Sequence, residues 1–293
     1  MIPSRTIETL MCIAHGTRFR TPIATALPRV TLWTSQMPTQ PRPAMFDPKF
    51  YILLQGRKRL TIGGGELDFG VGHCAVSSVS LPFASQVIEA APDKPYFGLE
   101  LRPDPAVVAG LLVEMGEKDT VEPKSFAATA AADNIIDAVD RLVRLLADTT
   151  DIPMLAGQAE RELYYYVLKS PMGGTLRQIV RNNARFSQIR TAIDWIRENA
   201  RTSMRIEELA SSVGMSLTSF HRHFRAITAY SPLAYQRHIR LIEAQRLIAS
   251  GSASITAAAF ASGYANSSQF CREYKQMFGM PPSHARRMIA AAR

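Results

Sequence analysis

The spacing of apolar residues divides the chain into three parts. From about residue 45 to 105, short β-branched and aromatic runs alternate with Gly, Pro and Asp turns, which predicts a series of strands. Apolar positions between 106 and 170 recur at helical intervals, and the breaker "SPMGG" at 170–174 ends this part. Later apolar runs also have helical spacing, so the end of the chain is predicted to be all helix.

The strand-rich part predicts an antiparallel β sandwich or a small β-barrel, because its short strands are evenly spaced and no helix separates them. Strands followed by a separate block of helices give an α+β fold class. A chain of 293 residues is also longer than one typical domain. We therefore expect a β-barrel domain with a helical extension in residues 1–172, a linker helix in 173–186 and an all-helical domain in 187–293.

Two segments of the helical end repeat one another at a distance of 50 residues. "TSFHRHFRAI" places Phe220 and Phe224 four apart, and "SSQFCREYKQMFG" places Phe270 and Tyr274 at the same spacing. This spacing puts each aromatic pair on one face of a helix. Polar and basic residues stand between them, so we expect buried aromatic faces and exposed polar faces.

Each repeated helix follows a segment with the pattern of a helix-turn-helix. Ile206 and Gly214 are eight residues apart before the first helix, and Ile255 and Gly263 are eight apart before the second. Glycine tolerates the positive φ that a sharp turn between two helices requires. Since the second helix of such a unit can enter the major groove, two units predict double-stranded DNA as a partner.

The residues that these helices would direct at DNA are polar or basic. Arginine can contact guanine and glutamine can contact adenine in bidentate fashion, whereas Arg and Lys near helix ends more often hold phosphates. A solvated polar face is the alternative for each residue. The candidates are Thr218, Ser219, His221, Arg222 and Arg225 in the first helix, and Ser267, Ser268, Gln269, Cys271, Arg272 and Lys275 in the second.

The basic charge of the chain lies in the same region. Residues 185–293 hold 15 Lys and Arg against 6 Asp and Glu, whereas residues 1–184 hold 19 of each kind. The net charge of +9 therefore belongs to the helical end. A basic surface attracts polyanions, most often nucleic acid, and a merely solubilising surface is the alternative.

The tandem units and the ending "FGMPPSHARR" resemble the DNA-binding domain of the AraC/XylS-type transcription regulators over roughly residues 185–290. Ala229 stands where that family usually has glycine, and Cys271 stands where serine is common. The segment 45–105 resembles the amino-terminal domain of one branch of the family. This second resemblance implies a cupin-like β-barrel that acts as a sensor or dimerisation module.

A ligand site is expected in the mouth of the barrel, where a small barrel can hold one ligand. Aromatic side chains with polar tips and a group of basic side chains would suit an anionic effector such as a nucleotide, a phosphate or a carboxylate. Ordinary β core and a charged strand that blocks aggregation are the alternatives. The candidates are Arg18, Arg20, Trp33, Tyr51, Arg57, Lys58, Arg59 and Tyr96.

Enzymatic and metal-binding functions find little support in the residues. Residues 1–184 contain only His15 and His73, with no His-x-His pair for a metal. The three glycines at 63–65 are not followed by the Lys of a phosphate-binding loop, so a hairpin turn is expected there. The three cysteines are scattered and no apolar run is long enough to span a membrane. We expect no enzymatic activity, no metal, no cofactor and a cytoplasmic location.

The sequence thus predicts a DNA-binding transcription regulator that is controlled by a small molecule in its front domain. RNA polymerase is a further expected partner if the protein activates transcription, and a homodimer is compatible with the sequence. A ligand-independent regulator whose barrel only dimerises is the alternative. A cupin-type metalloenzyme is a more distant alternative.

Overall fold

The computed structural model describes residues 1–19, 21–116, 124–180 and 184–291. Most of the strands precede most of the helices, as predicted, but one short strand lies within the part that was predicted to be helical. Helix α1 (Ser4–Gly16) comes first, and strands occupy most of the front half. The strands are β1 (Ile23–Ala24), β2 (Val30–Ser35), β3 (Arg42–Phe46), β4 (Lys49–Gln55), β5 (Arg57–Ile62), β6 (Gly65–Phe69), β7 (His73–Ser77), β8 (Leu81–Glu89), β9 (Tyr96–Leu101) and β10 (Phe126–Ala130).

These strands form two antiparallel sheets, which is the sandwich arrangement that the strand pattern allows, and the described strands do not close into the expected barrel. The first sheet has the order β1-β2-β9-β4-β7-β10, and the second has the order β3-β8-β5-β6. Strand β6 lies at one edge of the second sheet, and four of its five residues are exposed. The front domain is therefore a two-sheet sandwich, which we call the β sandwich.

The two faces of the first sheet bury different neighbours, because successive side chains of a strand point to opposite faces. Leu32, Phe50 and Leu99 pack towards helices, whereas Tyr51 and Tyr96 pack towards the second sheet. Helices after β9 cover the first of these faces and confirm the predicted helical subdomain. They are α2 (Pro105–Met115), α3 (Asp133–Arg144), α4 (Ile152–Lys169) and α5 (Gly173–Arg177), with a 3₁₀ turn at Thr149–Asp151.

The predicted linker helix 173–186 contains more than one element. Its first residues form α5, residues 181–183 lie outside the described part of the chain, and a new helix begins at Ala184. The helices from there onwards are α6 (Ala184–Glu198), α7 (Ile206–Ser212), α8 (Leu217–Thr228), α9 (Pro232–Ser250), α10 (Ile255–Ala261), α11 (Ser267–Phe278) and α12 (Pro282–Ala291). The tandem helix-turn-helix architecture is thereby confirmed.

Two separate cores hold this helical part together. Phe220, Phe224 and Tyr235 of the first unit belong to a core that continues into the β sandwich. Tyr274 and Phe270 of the second unit belong to a smaller core built from α9 to α12. Helix α9, with 19 residues, spans about 28 Å and connects the two.

Candidate functional site

The turns of the two helix-turn-helix units have the same local geometry. Helices α7 and α10 each have seven residues, and α8 and α11 each have twelve. Gly214 and Gly263 have φ values of +70° and +92°, a region that side chains rarely adopt. A Cβ on Gly263 would also lie 2.6 Å from the carbonyl oxygen of Arg201, so that turn needs glycine for close packing as well.

Side-chain caps fix the start of each reading helix. The Ser216 hydroxyl accepts the backbone N–H of Ser219 at 3.4 Å. The Asn266 side-chain oxygen accepts the backbone N–H groups of Ser268 at 2.8 Å and Gln269 at 3.2 Å. Such caps satisfy N–H groups that have no partner within the helix, so they set where α8 and α11 begin.

The aromatic faces of both reading helices are buried, as the spacing predicts. Phe220 and Phe224 in α8 and Phe270 and Tyr274 in α11 are all 0% exposed. Each pair sits one helical turn apart, so the helix is held by one face. The opposite face of each helix is left free for contact with another molecule.

The predicted DNA-reading side chains occupy these opposite faces. Ser219 is half-buried, and its backbone N–H donates to the Ser216 cap. Gln269 donates to Glu273 at 3.1 Å, a contact within one helix that bound DNA could replace. The exposed candidates are Thr218, His221, Arg222, Arg225, Ser267, Ser268, Gln269, Cys271, Arg272 and Lys275. Together they give two basic, hydrogen-bonding surfaces at equivalent places in the repeat.

Four of the predicted ligand residues come together on the inner face of the β sandwich. The hydroxyl oxygens of Tyr51 and Tyr96 are 2.8 Å apart. Lys58 Nζ lies 4.8 Å from the ring centroid of Tyr51 and 5.7 Å from that of Tyr96, within the range of a cation–π contact. Trp33 pairs in register with Gly98, the residue over which the tyrosine hydroxyls lie.

Glycine at position 98 is what makes room for the two tyrosines. A Cβ there would lie 2.5 Å from the Tyr96 hydroxyl oxygen and 2.9 Å from the Tyr51 hydroxyl oxygen. Real Cβ contacts are not that short, so any larger residue would displace the pair. We call Trp33, Tyr51, Lys58 and Tyr96 the inner cluster.

Burial dominates the electrostatics of the inner cluster. It lowers the pKa of Lys58 from 10.5 to about 8, with Glu100 opposing the change and Lys49 adding to it. Burial likewise raises the pKa of both Tyr51 and Tyr96. The cluster therefore presents a cation and protonated phenols at neutral pH.

The other predicted ligand residues do not join the inner cluster. Arg57 and Arg59 flank Lys58 in β5 and so point to the other face of the sheet. There Arg59 Nε lies 2.6 Å from Asp68 Oδ1 across to β6, and this hydrogen bond lowers the pKa of Asp68. Arg18 is exposed after α1, on the far side of the first sheet, and Arg20 lies outside the described residues. Of the predicted basic ligand residues, only Lys58 is therefore found in the inner cluster among the described residues.

Hydrogen bonds join the first helix-turn-helix unit to the β sandwich, and sequence reasoning missed the residues that make them. The Tyr235 hydroxyl donates to the carbonyl of Ser80 at 2.7 Å. The Tyr230 hydroxyl donates to the carbonyl of Pro82 at 3.2 Å and accepts the N–H of Gly63 at 2.9 Å. These partners are 148 to 167 residues apart in the chain, so no local pattern pairs them.

Further contacts surround the same junction. The Ser125 hydroxyl donates to the carbonyl of Ile227, near the end of α8. Arg197 of α6 donates to the Ser80 hydroxyl at 2.7 Å and lies 3.2 Å from Asp47. The junction thus holds the end of the first reading helix from several sides.

Ala229 also belongs to this junction, and its departure from glycine was the one sequence signal that marked it. It ends α8 in the left-handed conformation with φ +65°, as Gly279 ends α11 with φ +74°. Its methyl group lies against the β5–β6 hairpin: a Cβ on Gly63 would be 2.4 Å from it. Gly63 therefore has to be glycine for the hairpin to sit on the first unit.

A surface groove of about 430 Å³ lies elsewhere, between α2 and α4. Leu111, Met115 and Tyr165 line it together with the ion pair of Arg161 and Glu114. None of the predicted ligand residues lines this groove.

In the described ranges, no group of three or more His, Cys, Asp and Glu side chains is placed to hold a metal ion. Helices of sufficient length and apolar character to cross a membrane are likewise absent from those ranges.

The fold and these surfaces define a class of two-part protein, in which a two-sheet β domain is joined to tandem helix-turn-helix units. Residues 26–175 match the family described as the AraC-type transcriptional regulator N-terminus, and residues 209–288 match a helix-turn-helix domain. Because the first match alone covers more than half of the chain, the chain belongs to the AraC-type transcriptional regulators. The resemblance noted in the sequence is thereby confirmed.

The individual relatives have low sequence identity to this chain. The chain is 23% identical over 154 residues to the HTH-type transcriptional activator RhaS of Escherichia coli, an alignment covering 52% of this chain and 55% of RhaS. The chain thus spans about half the length of the curated relatives it matches. Apo ToxT from Vibrio cholerae covers 92% of this chain and 100% of its own at a TM-score of 0.57 and 13% identity. ToxT with a bound unsaturated fatty acid covers 91% of this chain and 96% of its own, at a TM-score of 0.53 and 12% identity. Both structures support the fold.

Proposed function

We propose that this chain is a sequence-specific DNA-binding regulator of transcription, controlled by a small molecule bound in the β sandwich. The observation that carries the DNA-binding part is the pair of exposed, basic faces on α8 and α11, held by equivalent turns and caps. Helix α9 spans about 28 Å, close to one DNA turn of about 34 Å. Both reading helices could therefore enter the major groove from one side of the duplex.

Residue roles follow from the repeat. Arg222 and Arg272 occupy the same place 50 residues apart, and we assign them to base or phosphate contacts. Arg225 and Lys275 lie one turn closer to the helix ends, so we assign them to phosphates. Gln269 near the start of α11 is suited to adenine, since its amide can donate and accept at once.

The inner cluster supports the effector part of the proposal. Tyr51 and Tyr96 belong to the same core as Phe224 and Tyr235, so a molecule that moves the tyrosines would disturb the packing of the first reading unit. A ToxT structure of the same fold holds an unsaturated fatty acid, which is compatible with a small effector in this chain. Control then requires only that the effector favour one packing of this core.

A ligand-independent regulator that only dimerises through its front domain is the second candidate. It is favoured by the apolar side chains Val113 and Met154, which are 81% and 76% exposed near the groove between α2 and α4. If the protein activates transcription, RNA polymerase would be a further partner. Either candidate would act on DNA in the cytoplasm.

The DNA-binding part can be tested without knowing the operator. The full chain is used to select sites from random duplex DNA, and binding to them is measured by gel shift. Arg222→Ala and Arg272→Ala should each weaken binding by about 1–3 kcal/mol. Loss at one base position would indicate a base contact, and equal loss on all sequences would indicate a phosphate contact. Arg102→Ala, which removes an exposed arginine of the front domain, is the control. Unchanged affinity for both reading-helix variants would contradict the proposal.

A further inference from the structure

We infer that the effector carries a carboxylate, which Lys58 and Trp33 hold on the inner face of the β sandwich, with the rings of Tyr51 and Tyr96 against its body. This inference rests on the proposed sensor function and adds the chemical class of the effector. The inner face holds more hydrogen-bond donors than acceptors, and that excess identifies the missing group as an acceptor.

Lys58 is a buried cation that has no counter-ion among the described residues. It is only 8% exposed, and its Nζ makes no hydrogen bond or ion pair to a described residue. Its contacts are with the faces of the Tyr51 and Tyr96 rings. An ammonium group carries three donors and is costly to bury unpaired, so an anion is the partner that this position lacks.

Trp33 supplies a second donor without an acceptor. Its Nε1 is fully buried and finds no partner in the described part of the chain, whereas a buried indole N–H usually has one. Register pairing places Trp33 beside Gly98, on the face that the tyrosine hydroxyls cover. The unpaired indole donor therefore belongs to the inner cluster and not to a separate site.

The tyrosine pair adds a third donor. The hydroxyls of Tyr51 and Tyr96, 2.8 Å apart, share one hydrogen bond, which uses one of their two protons. The other proton is left to donate elsewhere. Because burial raises the pKa of both groups, they stay protonated and remain donors at physiological pH.

The carboxylate that this face already contains is not available to these donors. Glu100 accepts from Lys49 at 2.7 Å, and the two charges cancel. The cluster is thus left with the single charge of Lys58. One carboxylate would neutralise it and accept from several of the free donors, whereas a neutral ligand would leave Lys58 unpaired. A phosphate dianion would bring more negative charge than one lysine balances.

The probe for this site is built into the chain. Trp33 and Trp195 are its only tryptophans, and Trp195 lies in α6, outside the β sandwich. In Trp195→Phe, tryptophan fluorescence excited where tyrosine does not absorb therefore reports on Trp33 of the inner cluster alone. This full-length variant is titrated with sodium benzoate and sodium octanoate, with benzamide and octanamide as uncharged counterparts and inorganic phosphate as a free anion.

At least one of the two carboxylates is expected to shift the Trp33 emission and to raise the Tm of the protein. Its amide should bind at least about tenfold more weakly, because it brings no charge for Lys58. Adding Lys58→Met should abolish the carboxylate response.

The unliganded protein gives a second readout that does not depend on choosing the right carboxylate. Lys58→Met keeps a long side chain and removes an unpaired buried charge, so its Tm should be unchanged or higher. Lys49→Met is the matched control. It removes a lysine that is paired with Glu100, so its Tm should fall.

Four results would overturn the inference. They are equal responses to a binding carboxylate and to its amide, no response to either carboxylate, a response to phosphate alone, and a fall in Tm for Lys58→Met as large as that for Lys49→Met. DNA binding is measured on the same preparations. Intact DNA binding without a carboxylate response would reject the carboxylate and leave the regulator function standing, whereas loss of both would reject the proposed function.

Discussion

The two helix-turn-helix units share one local structure and differ in what surrounds them. Their reading helices have equal length, start 50 residues apart and bury an aromatic pair each. The core of the first unit continues into the β sandwich, whereas the core of the second ends within its own helices. Helix α11 approaches β3 without joining the core to which β3 belongs.

This difference implies different roles for the two units, although their sequences follow the same pattern. Tyr230 and Tyr235 tie the first unit to the carbonyls of Pro82 and Ser80, so its position depends on the state of the β sandwich. The second unit has no such tyrosine bond among the described residues. We therefore expect an effector to act on DNA binding through the first unit.

The largest expected effect comes from removing one core aromatic from each unit. Phe220→Ala and Phe270→Ala should each cost about 3–5 kcal/mol of local stability, because both side chains are fully buried. Phe220→Ala should also destabilise the β sandwich, which shares its core. Urea unfolding followed by Trp33 fluorescence in the Trp195→Phe background measures this. Equal shifts of the Trp33 transition by both variants would show that the two units are coupled to the β sandwich to the same extent.

The stability of the β sandwich and of the first helix-turn-helix unit should depend on pH. Since burial lowers the pKa of Lys58 from 10.5 to about 8, the unfolded chain binds more protons between these values. Stability should therefore rise with pH through this window, the penalty being fully present below about pH 8 and amounting to about 3 kcal/mol at most. Urea unfolding at about pH 7.5 and about pH 9.5, against Lys58→Met, measures it. An identical pH dependence in the variant would remove Lys58 as the cause.

A smaller difference in stability is expected when one buried tyrosine of each unit is replaced. Tyr235→Phe should destabilise by about 1–2 kcal/mol, because it leaves the Ser80 carbonyl without its donor. Tyr274→Phe should be neutral or slightly stabilising, since the Tyr274 hydroxyl has no partner among the described residues. Thermal unfolding of both variants provides the measurement. A stability cost for Tyr274→Phe equal to that for Tyr235→Phe would contradict the stabilising role of the Tyr235 hydroxyl in the junction.

The repeated units could be predicted from the sequence because local residues determine them. The spacing of Phe270 and Tyr274 and the turn glycine Gly263 act within one unit, so a window of some 25 residues contains what specifies it. Strand β10 escaped prediction, since "FAATA" is short and alanine-rich and forms only by pairing with β7. Its register, with Phe126 opposite Ser77, depends on residues far away in the chain.

The inner cluster could be predicted only in part. The sequence treated Arg57, Lys58 and Arg59 as one basic group, although alternation along a strand separates Lys58 from its neighbours. The two-residue period of a strand places Lys58 on the opposite face from Arg57 and Arg59, so this separation was predictable from the sequence. The order of the two sheets and the junction could not be predicted this way, because sheet order and the bond from Tyr235 to Ser80 depend on contacts across the whole chain.

The central claim, that only the first unit is coupled to the β sandwich, can be tested most directly by hydrogen exchange of the full chain. Gly63→Ala would press a methyl group into Ala229, whereas Gly64→Ala adds the same left-handed strain in open space. Gly63→Ala should speed amide exchange in α8 and at the start of α9 and leave α11 unchanged, while Gly64→Ala changes none of them. Faster exchange in α11 equal to that in α8, or no change in α8, would contradict the account.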